Sequence, residues 1–155
     1  MTSISTILTP GCTVAQLPGA SRKRVLQQCS ELLSAQYPQL APRELFSALM
    51  ARERLGTTAI GEGVAIPHCR MQTDAIVAAF FQLSDPINYA APDDAPVDLL
   101  FVLVVPETEQ SAHLELLATL AGLFSDPNNR QRLRSCSDDA DLHQQLLNLN
   151  QHSAA

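Results

Sequence analysis

Residues 97–105 read Val-Asp-Leu-Leu-Phe-Val-Leu-Val-Val, an almost unbroken apolar and β-branched run. A strand of this kind hides both of its faces, so it belongs at the centre of a sheet that is covered above and below. A second run, Ala75–Leu83, has the same character. Both are too short to span a bilayer. Helical patterns stand before and after them. Ser21 is placed to cap a helix reaching about Tyr37, with Val25, Leu26, Cys29, Leu32 and Leu33 at helical spacing. Pro42 fits the first turn of a second helix that buries Leu45, Phe46, Leu49 and Met50 and ends near Arg54. Ser111 is expected to cap a third, with Leu114, Leu117, Leu120, Ala121 and Phe124 inward. Asp126-Pro127 breaks it, a short helix covers about 130–134, and Ser137 caps a last one. Ile4–Leu8, Thr13–Leu17, Thr57–Ile60 and Val64–Ile66 read as short strands. The expected fold is an α/β single-domain sandwich over residues 1–155. Its central mixed β-sheet is covered by helices on both faces, and its tail frays from about residue 151.

Composition narrows the functions. A hydrophobic fraction of 46% in 155 residues is enough for one full core. A net charge of -6 argues against nucleic acid as a partner and against an anionic membrane surface. No secretory signal is visible at the N-terminus. Cys12, Cys29, Cys69 and Cys136 form no paired motif, so neither a metal nor a disulfide framework is expected. No cofactor is expected, no membrane insertion either, and the setting is read as cytoplasmic.

The chemistry concentrates in residues 52–70. His68 follows Pro67 at the end of a short apolar run that is fed by Gly61-Glu62-Gly63. An imidazole that takes up a phosphoryl group must attack as the neutral base, with one nitrogen free and the other tied to an acceptor. Pro67 stiffens the backbone just before His68. Gly61 and Gly63 let an anion approach backbone N–H groups. Thr57 and Thr58 offer hydroxyls, and Arg52 and Arg54 offer planar donors suited to phosphate. A half-exposed histidine closing a strand would look the same from Pro67-His68 alone. Arg54 reads equally well as a polar helix end, and Glu53 reads as one more strongly. His113 falls in the first turn of the Ser111 helix, where the helix end attracts phosphate and disfavours imidazolium. His143 and His152 read as solvated.

The unbroken run from Arg52 to His68, Arg-Glu-Arg-Leu-Gly-Thr-Thr-Ala-Ile-Gly-Glu-Gly-Val-Ala-Ile-Pro-His, resembles the signature of the fructose/mannitol-type enzyme IIA family of the phosphoenolpyruvate-dependent phosphotransferase system. Pro96-Val97-Asp98-Leu99-Leu100-Phe101 and His113-Leu114 extend the resemblance over most of the chain. The resemblance implies that His68 is the phosphoryl acceptor, Arg52 the phosphate-facing cation and His113 the second histidine of the site. It leaves Thr57, Thr58, Gly61 and Gly63 as phosphate-binding candidates. Thr57 stands where serine is usual, Ala59 where glycine is usual, and Cys69 where glycine is common. Ala59 must therefore avoid positive φ. Cys69 reads as a small side chain packed under the loop.

The free-standing length and the Thr-Ala-Ile-Gly-Glu-Gly-Val-Ala-Ile-Pro-His wording are most similar to the nitrogen-regulatory branch. That implies a phosphohistidine carrier with a mainly regulatory role. It would take its phosphoryl group from a small histidine phosphocarrier protein and act on regulatory targets such as sensor kinases or ion-transport regulators. Two alternatives stand beside it. One is a sugar-specific enzyme IIA that passes phosphate to an enzyme IIB. The other is a binding module that is never phosphorylated. A metal or hydrolytic site using His68, His113 and Cys69 finds no ligand-spaced motif.

Overall fold

The computed structural model describes residues 3–109 and 111–153. In chain order the elements are helix α1 (Ile4–Ile7), a 3-10 turn (Pro10–Cys12), strand β1 (Thr13–Leu17), helices α2 (Arg22–Gln36) and α3 (Pro42–Arg54), and strands β2 (Ala59–Gly61), β3 (Val64–Ala65), β4 (His68–Met71), β5 (Val77–Ile87) and β6 (Val97–Pro106). Helices α4 (Ala112–Ser125), α5 (Pro127–Arg134) and α6 (Asp139–Ser153) close the chain. Residues 154–155 lie outside the described residues.

The six strands form one mixed sheet in the order β1-β5-β6-β3-β2, with β4 also paired to β6. β6 is the hub. It runs antiparallel to β5 and parallel to both β3 and β4. Leu99 through Val104 are all fully buried, whichever way each side chain points. Both faces of the central strand are therefore covered, as its unbroken apolar run requires. Phe80, Phe101 and Phe124 meet in the core with ring centroids 5.9 Å apart in each contacting pair. α2 and α3 form a helical hairpin, with α3 beside β4 and α2 beside β5, while α6 packs on β1.

Ser21 caps α2 as expected, its side chain accepting from the Arg24 N–H at 3.1 Å. Other expectations are corrected. Ile4–Leu8 is not a strand but carries a single helical turn. Ile4 and Ile7, one turn apart, both reach the core, and tertiary burial overrides β-propensity. Ser111 precedes α4 without a side-chain cap bond, because its backbone (φ -133°, ψ -28°) departs from the extended geometry that aims the hydroxyl. α6 is capped by Asp138, whose carboxylate accepts from the Asp141 N–H at 2.8 Å, and not by Ser137.

The inward stripe of α4 is also rotated. Leu116, Leu120, Leu123 and Phe124 are buried, whereas Leu114 is 59% exposed. The helix carries apolar residues around most of its circumference, so periodicity alone left its orientation open.

β4 was not foreseen at all. Val64 pairs with Leu99 and His68 with Leu103, so β3 and β4 run along one edge of β6 in a single register, interrupted at Ile66-Pro67. Proline cannot donate to the ladder, but its carbonyl still accepts from the Leu103 N–H at 2.9 Å. The interruption leaves the Ile66 carbonyl free to turn toward the side chain two residues on.

Candidate functional site

His68 opens β4 and is half-buried, between the fully paired Cys69 backbone and the Pro67 break. Its Nδ1 lies 2.8 Å from the Ile66 carbonyl oxygen. A carbonyl only accepts, so Nδ1 carries the proton and Nε2 keeps its lone pair. Burial pushes the imidazole below its ordinary value, and the Arg52 charge and His113 push the same way. The Ile66 hydrogen bond and the Glu53 charge oppose them. At neutral pH the ring is a neutral base with one nitrogen committed and the other open.

Arg52 comes from the last turn of α3. Its Nη1 donates to the Gly56 carbonyl at 2.8 Å, which folds the side chain back over the helix end. Two clefts meet at His68 and Arg52. One, of about 590 Å³, is shared with Leu55, Cys69, Arg70 and His113. The other, of about 340 Å³, is bordered by Thr57, Thr58, Ile60 and the Leu117, Ala118 and Ala121 side of α4. A larger open depression of about 820 Å³ lies between α5 and α6, lined by polar side chains such as Asn128, Gln131 and Gln145. It contains no histidine. Size does not single out the site here; the open imidazole nitrogen does.

His113 stands in the first turn of α4, as expected from Ser111. Its Nε2 lies 3.4 Å from Nη2 of Arg70, and its Nδ1 is buried without a hydrogen-bond partner among the described residues. Arg70 also donates through Nη1 to the Glu107 and Glu109 carbonyls, tying β4 to the loop that leads into α4. Sequence reasoning passed over Arg70. Its position two residues after His68, on the same side of a strand, was legible only once β4 was known.

The structure therefore brings together His68, Arg52, His113, Thr57 and Thr58. The threonine hydroxyls already donate elsewhere. Thr57 Oγ1 donates to the Tyr89 carbonyl at 2.9 Å, and Thr58 Oγ1 donates to the Glu53 carboxylate. They build the wall of the cleft and are not free donors toward it.

Gly61 and Gly63 are not brought to His68, and neither lines a cleft that His68 lines. From position 63 to 68 is roughly 16 Å of extended chain. The glycines shape the tight β2–β3 turn, with φ of +96° and +80° around Glu62 at +58°. That turn is held by Asp93, which accepts from the Glu62 N–H at 2.8 Å, and by Arg134, which donates to the Glu62 carbonyl at 2.7 Å. A Cβ on Gly63 would lie 3.3 Å from the Pro96 carbonyl oxygen at a φ of +80°, which L side chains rarely adopt, so the turn favours glycine there. Ala59 avoids positive φ, as it must.

Glu53 is the residue that sequence reasoning misjudged. It is not part of a solvated helix end but is 4% exposed. Oε1 accepts from the Thr58 N–H at 2.9 Å, and Oε2 from the Tyr89 hydroxyl at 2.9 Å. Arg22 lies 4.0 Å away and stacks over the Tyr89 ring. The available signal was the stripe Leu45, Leu49, Glu53, which continues the buried face of α3 at helical spacing. Arg54, by contrast, is exposed. His143 is partly buried, with Nε2 3.3 Å from the Leu8 carbonyl oxygen. The side chain of His152 lies outside the described residues. Cys69 is buried, and desolvation pushes its thiol up to about 12, which leaves it a packing residue.

Comparison with known proteins follows the same lines. The family model described as the phosphoenolpyruvate-dependent sugar phosphotransferase system, EIIA 2, matches residues 6–149. A nitrogen regulatory protein of Pseudomonas aeruginosa is 41% identical over 150 residues, covering 96% of this chain and 97% of that one. A nitrogen regulatory protein of Escherichia coli is 39% identical over 143 residues, covering 91% and 87%. The crystal structure of nitrogen regulatory protein IIA-Ntr from Neisseria meningitidis superposes with a TM-score of 0.87 at 37% identity, covering 92% and 98%. With the family model matching most of the chain and these relatives covered nearly end to end, the chain belongs to the type 2 enzyme IIA family of the phosphotransferase system, in its nitrogen regulatory branch.

Proposed function

We propose that this protein is a phosphohistidine carrier whose regulatory contacts depend on whether Nε2 of His68 bears a phosphoryl group. The observation that carries the reading is the hydrogen bond from His68 Nδ1 to the Ile66 carbonyl, which leaves Nε2 as the open nucleophile. The donor is a phosphohistidine on a small phosphocarrier protein. The Nε2 lone pair of His68 attacks the phosphorus, the donor's N–P bond breaks, and its electron pair returns to the donor imidazole. Arg52 neutralises charge on the transferring group, and little other covalent work is required. His113, across the larger cleft, is a second polar contact for the phosphoryl oxygens.

Partner binding has a physical basis in the rim of the site. Among the described residues the exposed large hydrophobic side chains are Leu55 at 85%, Ile60 at 44% and Leu114 at 59%. Leu55 and Ile60 border the clefts that contain His68, and Leu114 follows His113. A docking protein would bury these side chains and bring its own histidine over the cleft. Phosphorylation then adds nearly two negative charges in the middle of that apolar rim. The change alters which surfaces dock there without requiring a change of fold. Reduced, buried cysteines suit action in the cytoplasm.

The test is incubation with phosphoenolpyruvate and the upstream phosphocarrier chain, read by intact mass and by acid lability of the phosphate. His68→Ala should lose the added phosphate and keep the fold. Undiminished labelling of that variant would refute the reading.

A further inference from the structure

Glu53 is more deeply buried than any other charged side chain among the described residues, yet it does not line either cleft at His68. A buried carboxylate is costly unless it is well satisfied. A line of hydrogen bonds runs from it to the reactive imidazole. The Thr58 N–H donates to Oε1 of Glu53 at 2.9 Å. The Thr58 carbonyl accepts from the Ile66 N–H at 3.1 Å. The Ile66 carbonyl, in turn, accepts from Nδ1 of His68 at 2.8 Å. Every donor in the line faces the Glu53 end.

We infer that Glu53 is a positioning residue for His68, acting through the main-chain groups of Thr58 and Ile66 to hold the Nδ1–H tautomer and to strengthen the Nε2 lone pair. Each link fixes the next in place, and in a buried setting the Glu53 charge is poorly screened. The N–H and C=O of Thr58, and those of Ile66, belong to different peptide units, so the line holds the Ile66 oxygen in place for Nδ1–H while the Glu53 charge acts on the ring through space. That negative charge makes the imidazole more basic, as it opposes the lowering by burial and Arg52. The arrangement does the work of the carboxylate that orients a catalytic histidine directly, but through two residues of backbone.

The charges around His68 show why such help is needed. Arg52 approaches from α3, Arg70 from the same strand and His113 from α4. Of these, Arg52 and His113 disfavour the imidazolium, and burial does so most strongly. Glu53 opposes them. A merely structural anchor for Thr58 would need an acceptor but no charge. The Thr58 and Tyr89 hydroxyls complete the carboxylate's shell at Oε2, and Arg22 lies 4.0 Å from Oε1.

The inference rests on His68 being the phosphoryl acceptor, but its test does not need phosphate. Glu53→Gln keeps an acceptor of the same shape and removes the charge. NMR titration of the unphosphorylated variant should show the His68 imidazole value falling by roughly half a unit or more. Tyr89→Phe removes one hydrogen bond to Glu53 but leaves its charge, and should move His68 less than half as far. In single-turnover transfer, Glu53→Gln should accept phosphate roughly two- to fivefold more slowly, as a less basic nucleophile does.

An unchanged His68 value in folded Glu53→Gln would overturn the proposal. Equal shifts in the two variants would overturn it as well, since that pattern marks packing alone. The wild-type protein supplies a check that needs no substitution: nitrogen-15 shifts should report the Nδ1–H tautomer, with the Ile66 and Thr58 amides protected from exchange. An Nε2–H tautomer would refute the assignment.

Discussion

At the scale of single residues, the site is governed by what His68 is prevented from doing. Its Nδ1 is held by Ile66, and its protonation is disfavoured by burial, Arg52 and His113. The folded protein therefore resists protonating this ring below the ordinary value of about 6.5. As pH falls through that value the unfolded chain takes up the proton first. The contribution of His68 to stability is thus complete above about pH 6.5 and is lost as pH falls toward the lower folded value. Transfer follows the same sign. The rate of phosphate uptake by His68 should stay level from pH 8 to about 6.5 and fall only at lower pH, provided the donor's own titration is divided out. A pH–rate profile that already falls between pH 8 and 7 would contradict the depressed value.

Arg52 has a separate expectation at this scale. A charge-assisted hydrogen bond contributes about 1.5–3 kcal/mol, so Arg52→Ala should slow transfer by roughly one to two decades. Arg52→Lys should restore part of that loss, because it keeps the charge and loses the fork. Removing the guanidinium should also let the His68 value rise, since Arg52 holds it down. Stopped transfer assays and NMR titration of the same variant give the two readouts independently.

At the scale of elements, the two faces of α4 divide stability from docking. Leu120 is fully buried and Leu114 is 59% exposed, less than two turns away on the same helix. Leu120→Ala should cost about 2–5 kcal/mol in denaturant unfolding. Leu114→Ala should stay within about 0.5 kcal/mol of wild type in the same measurement, yet weaken phosphoryl exchange with a partner, seen as a raised KM at unchanged maximal rate. Equal losses of stability would show that Leu114 is a core residue after all.

The elements also show what could be read from the chain in advance. β6 announced itself, because nine nearly continuous apolar positions have no other stable home. α2 and α3 were legible from capping, proline placement and period. β4 was not. His68-Cys69-Arg70-Met71 is short and half polar, and its strand character comes from a neighbour, β6, that lies more than thirty positions further along the chain. Glu53 was misread for a related reason. A glutamate at a helix end is solvated unless something distant needs it, and Thr58, Tyr89 and Arg22 are brought to it only by the fold. The histidine motif was visible as a motif. The division of labour inside it, with hydroxyls spent on the wall and glycines on a distant turn, required the register of the strands.

At the scale of the whole molecule, the first and last described elements share one corner. α1 lies against α6, the Asp139 carboxylate accepts from the Ala15 N–H at 2.7 Å, and His143 of α6 approaches the Leu8 carbonyl. Buried Gln82 of β5 binds the same corner together, donating to the Leu133 and Cys136 carbonyls and accepting from the Gln16 N–H. His68 sits on β4, which is not a neighbour of β1 in the sheet. The first and last described elements thus lie together, and the histidine site lies elsewhere. Joining the α1 and α6 ends by a short flexible linker and reopening the chain in the exposed 92–94 loop should give a circular permutant that folds and still labels on its histidine. The same geometry suits the fold to insertion between other modules, since a host chain would enter along α1 and leave along α6, two packed elements, while a partner docks over the rim of the cleft.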